Sequence, residues 1–220
     1  MESDLTVFLE FYGIPGCGKS TVSHILAQEL CKTGKRVIEP TYDLDHNRAT
    51  GCRKWIKLFA LVQLAIFHPQ KNIALRKLVR DCGYMGREAL PHMVNIAKKL
   101  SIYSLAKADY VVFDEGLTQS AISLAQSGTE DCKTIEKRLY ELCDRLKIQK
   151  IYIKADPDTA LIRMVNRDKH DSLIEKLQSE SEKAQALVSF ETTCNKMDPD
   201  FVIDESDASK AAKQLLQQLL

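Results

Sequence analysis

The octapeptide Gly13-Ile14-Pro15-Gly16-Cys17-Gly18-Lys19-Ser20 is the tightest constraint on how this chain can fold. It fits the pattern Gly-x-x-x-x-Gly-Lys-Ser/Thr in full, and the pattern carries meaning only between a strand and a helix. Both flanks comply. Thr6-Val7-Phe8-Leu9-Glu10-Phe11-Tyr12 is apolar and β-favouring. Ser20 to Cys31 carries apolar residues at Val22, Ile25, Leu26 and Leu30, a helical spacing. Glycines let the connecting turn point backbone N–H groups inward, and the positive end of the helix dipole faces the same spot. A polyphosphate fits there. Gly13, Ile14, Pro15, Gly16, Cys17, Gly18, Lys19, Ser20 and, just inside the helix, Thr21 are therefore expected to hold ATP. Lys19 should reach the β- and γ-phosphates, and Ser20 should ligate Mg²⁺.

Further strands and helices alternate along the chain. Arg36-Val37-Ile38-Glu39 reads as a short second strand closed by Pro40, and Asp109 to Asp114 as the third. Lys150 to Lys154 reads as the fourth and Phe201 to Asp204 as the fifth. The stretch 47–107 between the second and third strands is mostly helical, with breaks expected near His68-Pro69 and Cys82-Gly83. Helices are expected over 118–126 and 130–146. Another starts at Asp156-Pro157, with proline in its first turn. The polar segment 166–172 reads as a loop, followed by a long charged helix and a closing helix over 208–220. Strands separated by helices imply βαβ units, hence an α/β fold with a parallel sheet covered on both faces. No internal repeat, low-complexity tract or linker divides residues 1–220, so one domain is expected.

Charge and cysteine usage narrow the functional classes. Lys and Arg number 31 against 30 Asp and Glu, a net charge of +1, which is not the electrostatic footprint of a nucleic-acid binder or a membrane-surface protein. Seven cysteines occur without a Cys-x-x-Cys pair, which suits reduced thiols rather than a disulfide framework or a zinc site. Met1 to Tyr12 holds three acidic residues and no basic one, unlike a secretory signal. The longest apolar run, Leu58 to Phe67, is interrupted by Gln63 and is about half the ~20 residues a spanning helix needs. A cytoplasmic protein is expected, with ATP and a small molecule as partners and no nucleic acid or membrane. Its oligomeric state is open, a homodimer included.

The candidate reactive groups sit where strands end. Asp114-Glu115 closes an apolar strand, where a metal-coordinating acid belongs, at the carboxyl edge of the sheet. Asp114 is assigned to Mg²⁺. Glu39 closes the second strand at the same edge and can accept the proton of an attacking hydroxyl; a strand-capping surface glutamate is the alternative. Glu115 is the rival base, and an Asp-Glu pair also suits water activation in an NTPase. Arg163 and Arg167 stand four residues apart on one helical face, followed by Asp168, Lys169 and His170. Such a cluster beside a mobile polar loop can close over a nucleotide as a lid and stabilise a transferring phosphoryl group. A solvated charged face is the alternative.

Together these segments resemble the nucleotide and nucleoside kinases of the P-loop superfamily, especially the thymidylate kinase-like branch. Three points carry the resemblance: the loop itself, Glu39-Pro40 after the second strand, and Ile151-Tyr152-Ile153 leading to Asp156-Pro157-Asp158-Thr159-Ala160 with Arg163 and Arg167. It implies a three-layer sandwich with a five-stranded parallel sheet in the order 2-3-1-4-5, a small lid near 163–175 and a helical acceptor region near 47–107. It also implies γ-phosphoryl transfer from ATP, with a nucleoside or nucleoside monophosphate as the foremost acceptor. Glu115, Ile38, Thr41 and Tyr42 depart from that branch's pattern. A sugar or other alcohol therefore stays open as acceptor, and so does a regulatory NTPase. Arg48, Arg53, Arg76, Arg80 and Arg87 in the helical region either meet an anionic acceptor or form charged helix faces.

Overall fold

The computed structural model describes residues 6–42, 50–143, 147–166, 174, 177, 179–204 and 206–219, and the side chains of all of these except 50–54. In chain order the elements are β1 (Val7–Tyr12), α1 (Lys19–Lys32), β2 (Val37–Ile38), α2 (Thr50–Phe67), α3 (Pro69–Asp81), α4 (Gly86–Leu105) and β3 (Tyr110–Phe113). They continue with α5 (Leu117–Ala125), α6 (Cys132–Tyr140), β4 (Lys147–Ile153), α7 (Pro157–Val165), α8 (Glu180–Cys194), β5 (Phe201–Ile203) and α9 (Ala208–Leu219).

The strands form one sheet in the order β2-β3-β1-β4-β5, and every pairing is parallel. This is the architecture expected from the alternation of strands and helices, in the strand order that the resemblance implied. Burial puts β1 at the centre, with five of its six residues buried, and a strand covered on both faces reads as a continuous apolar run. Side chains alternate across the sheet. Leu9, Phe11 and Val112 face a core closed by Val22, Leu26 and Leu30 of α1 and Ala211, Ala212 and Leu215 of α9. Phe8, Val111 and Phe113 face a second core built with α3, α4, α5 and α6.

Element boundaries differ from expectation where pairing or capping overrides local composition. β4 begins at Lys147 rather than Lys150, because it pairs with β1 along its whole length, Val7↔Lys147 to Tyr12↔Tyr152. The helix expected over 130–146 is α6, Cys132–Tyr140. Asp131 fixes its start, its side chain accepting hydrogen bonds from the backbone of Lys133 and Thr134, and 144–146 lie outside the described residues. β2 shrinks to two residues, since only Val37 and Ile38 pair with β3. The breaks at His68-Pro69 and Cys82-Gly83 separate α2, α3 and α4 as anticipated. Asp156 caps α7 through Thr159 N, and Ser179 with Glu182 forms a capping box on α8. Each such cap stabilises by about 1 kcal/mol.

Candidate active site

Both neighbours of β1 are parallel to it, so β3 and β4 end beside the loop that follows Tyr12. That loop is tightly built. At Gly16 the backbone φ is +86°, and a Cβ would lie 2.5 Å from the Ala160 carbonyl oxygen of α7. At Gly13 φ is +151°, and a Cβ would lie 2.5 Å from the Ile153 oxygen. Any side chain at either position would be strained twice, by backbone conformation and by collision. Gln119 on α5 also holds the loop, its Oε1 accepting from Gly13 N at 3.0 Å.

Helix α1 opens on this loop. Gly18 supplies no side-chain cap, and the first turn carries no acidic residue. Its leading N–H groups and the positive end of its dipole are therefore turned to the loop without a capping side chain or an acid of the helix's own first turn. Lys19 is buried, at 6% exposure. Its Nζ donates to the carbonyl oxygens of Gly13 and Ile14, both at 3.1 Å. Burial opposes its charge, but Cys17, Glu115, Cys194 and Asp114 around it hold its pKa above the usual lysine value. It stays an ammonium through the physiological range.

Ser20 and Asp114, assigned to the metal from sequence, meet: Ser20 Oγ donates to Asp114 Oδ2 at 2.8 Å. Asp114 Oδ1 is buried with no hydrogen-bond partner among the described residues. A buried carboxylate oxygen without a partner is costly unless something answers it. Among the described residues no group of three or more His, Cys, Asp or Glu could hold a metal ion. One carboxylate and one hydroxyl fit Mg²⁺, which keeps several waters and takes further oxygens from phosphates, better than a cation needing a full protein cage.

Glu39 is half-buried and faces His24, whose Nδ1 lies 3.0 Å from Glu39 Oε2 and 3.2 Å from Oε1. Gln28 Nε2 approaches the other ring nitrogen at 3.0 Å. The neutral imidazole with its proton on Nδ1 satisfies both contacts, accepting from Gln28 and donating to Glu39. The ring also stacks on Tyr42, centroids 3.8 Å apart. Ser20, His24 and Gln28 follow at intervals of four on α1 and share one face. Thus one helix face touches Asp114 through Ser20 and Glu39 through His24.

Beneath the Asp114-Glu115-Gly116 turn lies a buried polar network that the sequence reading did not identify. Glu10, in the middle of β1, is fully buried. Its carboxyl accepts from Tyr103 Oη and, at 2.8 Å, from Thr118 N, and a Cβ at Gly116 would run into it. Thr118 Oγ1 continues to Glu136 at 2.8 Å, and Glu136 meets Lys150 Nζ at 3.2 Å. Lys99 of α4 donates to the Gly116 carbonyl oxygen at 2.9 Å and to Ser120 Oγ at 2.7 Å. Burial pushes the Glu10 pKa up, against its hydrogen bonds. Burial likewise pulls the Lys99 pKa down, against the acids Glu115, Glu10 and Asp114. A glutamate among Val7, Phe8, Leu9, Phe11 and Tyr12 was the available signal, since a charge on a central strand needs partners. Nothing in the sequence near Lys99 or Gln119 marks them.

The remaining expectations divide. Glu115 is exposed at the turn. Arg163 is exposed on α7, the helix whose Ala160 and Met164 pack against Gly16. Arg167, Asp168, Lys169, His170 and most of the expected lid lie outside the described residues. Arg76, Arg80 and Arg87 are exposed, as charged helix faces are, while Arg48 and the Arg53 side chain lie outside the description.

No protein-family model matches the chain, and no curated protein matches it. Solved structures do. A shikimate kinase from Acinetobacter baumannii in complex with shikimate is 15% identical, with 98% of this chain and 93% of that chain covered and a TM-score of 0.56. A deoxyadenosine kinase from M. mycoides with bound dCTP is 16% identical over 96% of this chain and 98% of that chain, at a TM-score of 0.53. The same enzyme with bound dATP is 17% identical with the same coverage, at 0.51. The fold is that of the P-loop kinases. These neighbours do not single out the thymidylate kinase-like branch. No helix among the described residues is long and apolar enough to cross a membrane.

Proposed function

We propose that this chain is an ATP-dependent small-molecule kinase that transfers the γ-phosphoryl group to an acceptor hydroxyl or phosphate, a nucleoside or nucleoside monophosphate foremost. The observation that carries the reading is the shared face of α1, where Ser20 holds Asp114 and, one turn on, His24 holds Glu39. That face joins a metal acid to a second carboxylate outside the loop, from which the proton of an acceptor hydroxyl can be taken. The likeness in fold to a shikimate kinase and a deoxyadenosine kinase supports it.

In this reading Gly13 to Thr21 bind the triphosphate through backbone N–H groups, and Lys19 neutralises charge at the β- and γ-phosphates. Bound Mg²⁺, held by Ser20 and Asp114, would offset the negative charge of the phosphates. Glu39, steadied by His24, accepts the proton of the acceptor hydroxyl as its oxygen forms the new bond to phosphorus and ADP leaves. Arg163, and Arg167 beyond it, serve as cations over the transferring group. The thymidylate kinase-like acceptor pattern is the finer part of the proposal, and a sugar or other alcohol acceptor is the alternative within it.

Exposed Glu115, next to the metal acid, favours one rival: a regulatory NTPase with water as acceptor. ATP turnover measured across nucleosides, nucleoside monophosphates, sugars and buffer alone, with Glu39→Gln and Glu115→Gln alongside the wild type, separates the two. The kinase reading expects acceptor-dependent turnover that falls about 10²- to 10⁴-fold in Glu39→Gln, with nucleotide affinity unchanged. Turnover in buffer alone, lost only in Glu115→Gln, would overturn it.

A further inference from the structure

Two polar residues of α1, His24 and Gln28, follow Ser20 at intervals of four and share its face of the helix. The His24 ring is fixed on three sides. Its Nδ1 stands 3.0 and 3.2 Å from the two oxygens of Glu39. Its Nε2 stands 3.0 Å from Gln28 Nε2. Its face lies on Tyr42, 8° from parallel. The His24 side chain is 27% exposed and that of Glu39 17%, so the pair is mostly sheltered from water.

These contacts leave one assignment of protons. A carboxylate has no proton to give, so Nδ1 carries the hydrogen. The Gln28 amide turns its NH₂ group to the ring, and that group only donates, so Nε2 accepts. An imidazole that served as the base itself would turn its second nitrogen to the substrate, with the carboxylate orienting it. Here Gln28 occupies that nitrogen. The carboxylate is left as the group that takes a proton, and the ring as the group that aims it.

We propose that Gln28 and His24 are positioning residues: Gln28 holds the His24 ring neutral, and the Nδ1–H of that ring aims Glu39 as the base for an alcohol acceptor. The proposal rests on the kinase reading and narrows its acceptor from a hydroxyl or phosphate to a hydroxyl. The chemistry of the acceptor decides this. An alcohol keeps its proton at neutral pH. Its O–H bond must break as its oxygen bonds to the γ-phosphorus. The proton passes to a Glu39 oxygen, and the electron pair of the old bond to the γ-phosphorus leaves with ADP. A phosphate monoester loses its second proton at about pH 6 and reaches the site with an ionised oxygen. It needs no base. A carboxylate aimed by two further side chains has a task only with the first kind of acceptor.

Two experiments on the full chain test this. The first needs no acceptor. Nuclear magnetic resonance of protein carrying nitrogen-15 histidine reads the ring of His24, one of five histidines, as the signal missing from His24→Asn. At about pH 7.5, a unit above the ordinary histidine value, it should show a protonated Nδ1 and a bare Nε2. Gln28→Glu, at an exposed position, replaces the donor with an acceptor and should leave both nitrogens protonated. A proton on Nε2 in the wild type would overturn the assignment. The second experiment is kinetic, with deoxyadenosine, thymidine, glucose and shikimate as alcohols against AMP and thymidine monophosphate. Turnover should depend on an alcohol. His24→Leu should lower kcat about 10²-fold, the cost of displacing a reacting group by about 1 Å, with KM for ATP unchanged. His24→Asn, whose amide can stand in for Nδ1–H, should regain at least about tenfold. In a Glu39→Gln background the His24→Leu change should cost under about twofold more, because the two act as a unit. An equal loss in both backgrounds, or His24→Asn no better than His24→Leu, would assign His24 to the fold alone. Turnover with the monophosphates only would overturn the alcohol acceptor. The kinase reading fails in the wild type, by turnover without any acceptor; the positioning roles fail in the variants.

Discussion

The two halves of the phosphate site are built by opposite means. The loop is built mainly from its own residues: Lys19 bonds to carbonyls five and six positions away and glycine conformation sets its turns, while Gln119 and the Ile153 and Ala160 carbonyls close on it from outside. The acid turn is assembled from afar. Asp114 meets Ser20 across 94 positions, and Glu10 beneath it meets Thr118 across 108. A site half that depends on local backbone geometry is fixed by its own few residues. A half that depends on what lies under it is fixed by the register of the sheet, which sets Glu10 opposite Phe113 and Asp114 one step beyond.

The comparison can be broken most severely at the loop. Lys19→Ala removes the cation expected at the β/γ-phosphates and should cut transfer on the order of 10³-fold or more. Steady-state kinetics on protein with an unchanged melting curve checks this, and near wild-type turnover would refute the loop assignment. Asp114→Asn acts on the other half. It should raise the Mg²⁺ concentration for half-maximal activity roughly 10- to 100-fold while far-ultraviolet circular dichroism stays the same. An unchanged Mg²⁺ titration would remove Asp114 from the metal.

Lys99→Met tests whether the acid turn needs its support. The Gly116 carbonyl loses a charge-assisted donor, so the Mg²⁺ requirement should rise by about tenfold or less, with ATP affinity through the loop intact. A lowered melting temperature with an unchanged Mg²⁺ titration would mean that Lys99 supports only the fold.

The smallest effect on turnover is expected from Glu10→Gln, under about twofold, because the amide keeps an acceptor for Thr118 N and a donor for Tyr103 Oη. Its signature lies in pH. The folded pKa of Glu10 is raised above the ordinary 4.5, so the fold favours the protonated form. The stability this group gives is fully present below the unfolded value and is lost as pH rises through the folded one. Denaturant titrations should therefore show the wild type losing ground to Glu10→Gln as pH climbs from acid toward neutral. A difference independent of pH would mean that Glu10 does not titrate there.

The loop and the parallel sheet were legible because each follows from short-range pattern, whereas the strand order came only from the resemblance to the P-loop kinases. Gly13 to Ser20 needs only its own letters and two flanking periodicities. Ser20 and Asp114 were each assigned to Mg²⁺ from their places after the loop and at the end of β3, and the hydrogen bond between them came with the structure. His24 was not read, although its place four residues after Ser20 puts it on the same helix face. Only the return of β2 to that face reveals that Glu39 meets it. Glu10 was passed over as one polar letter in an apolar strand, although a buried carboxyl must find donors and those donors sit on α4 and α5.

The sequence by itself determined the phosphate loop, the α/β class and the acids at the strand ends, because backbone conformation and hydrophobic period are local properties. Only the tertiary structure decided which distant groups stand under those acids, that Lys99 rather than Arg76, Arg80 or Arg87 reaches the acid turn, and that the apolar side chains of α2 such as Trp55, Phe59 and Ile66 are left facing water. Those outcomes depend on how helices settle on a closed sheet. That packing is a property of all the layers at once, and no single stretch of residues carries it.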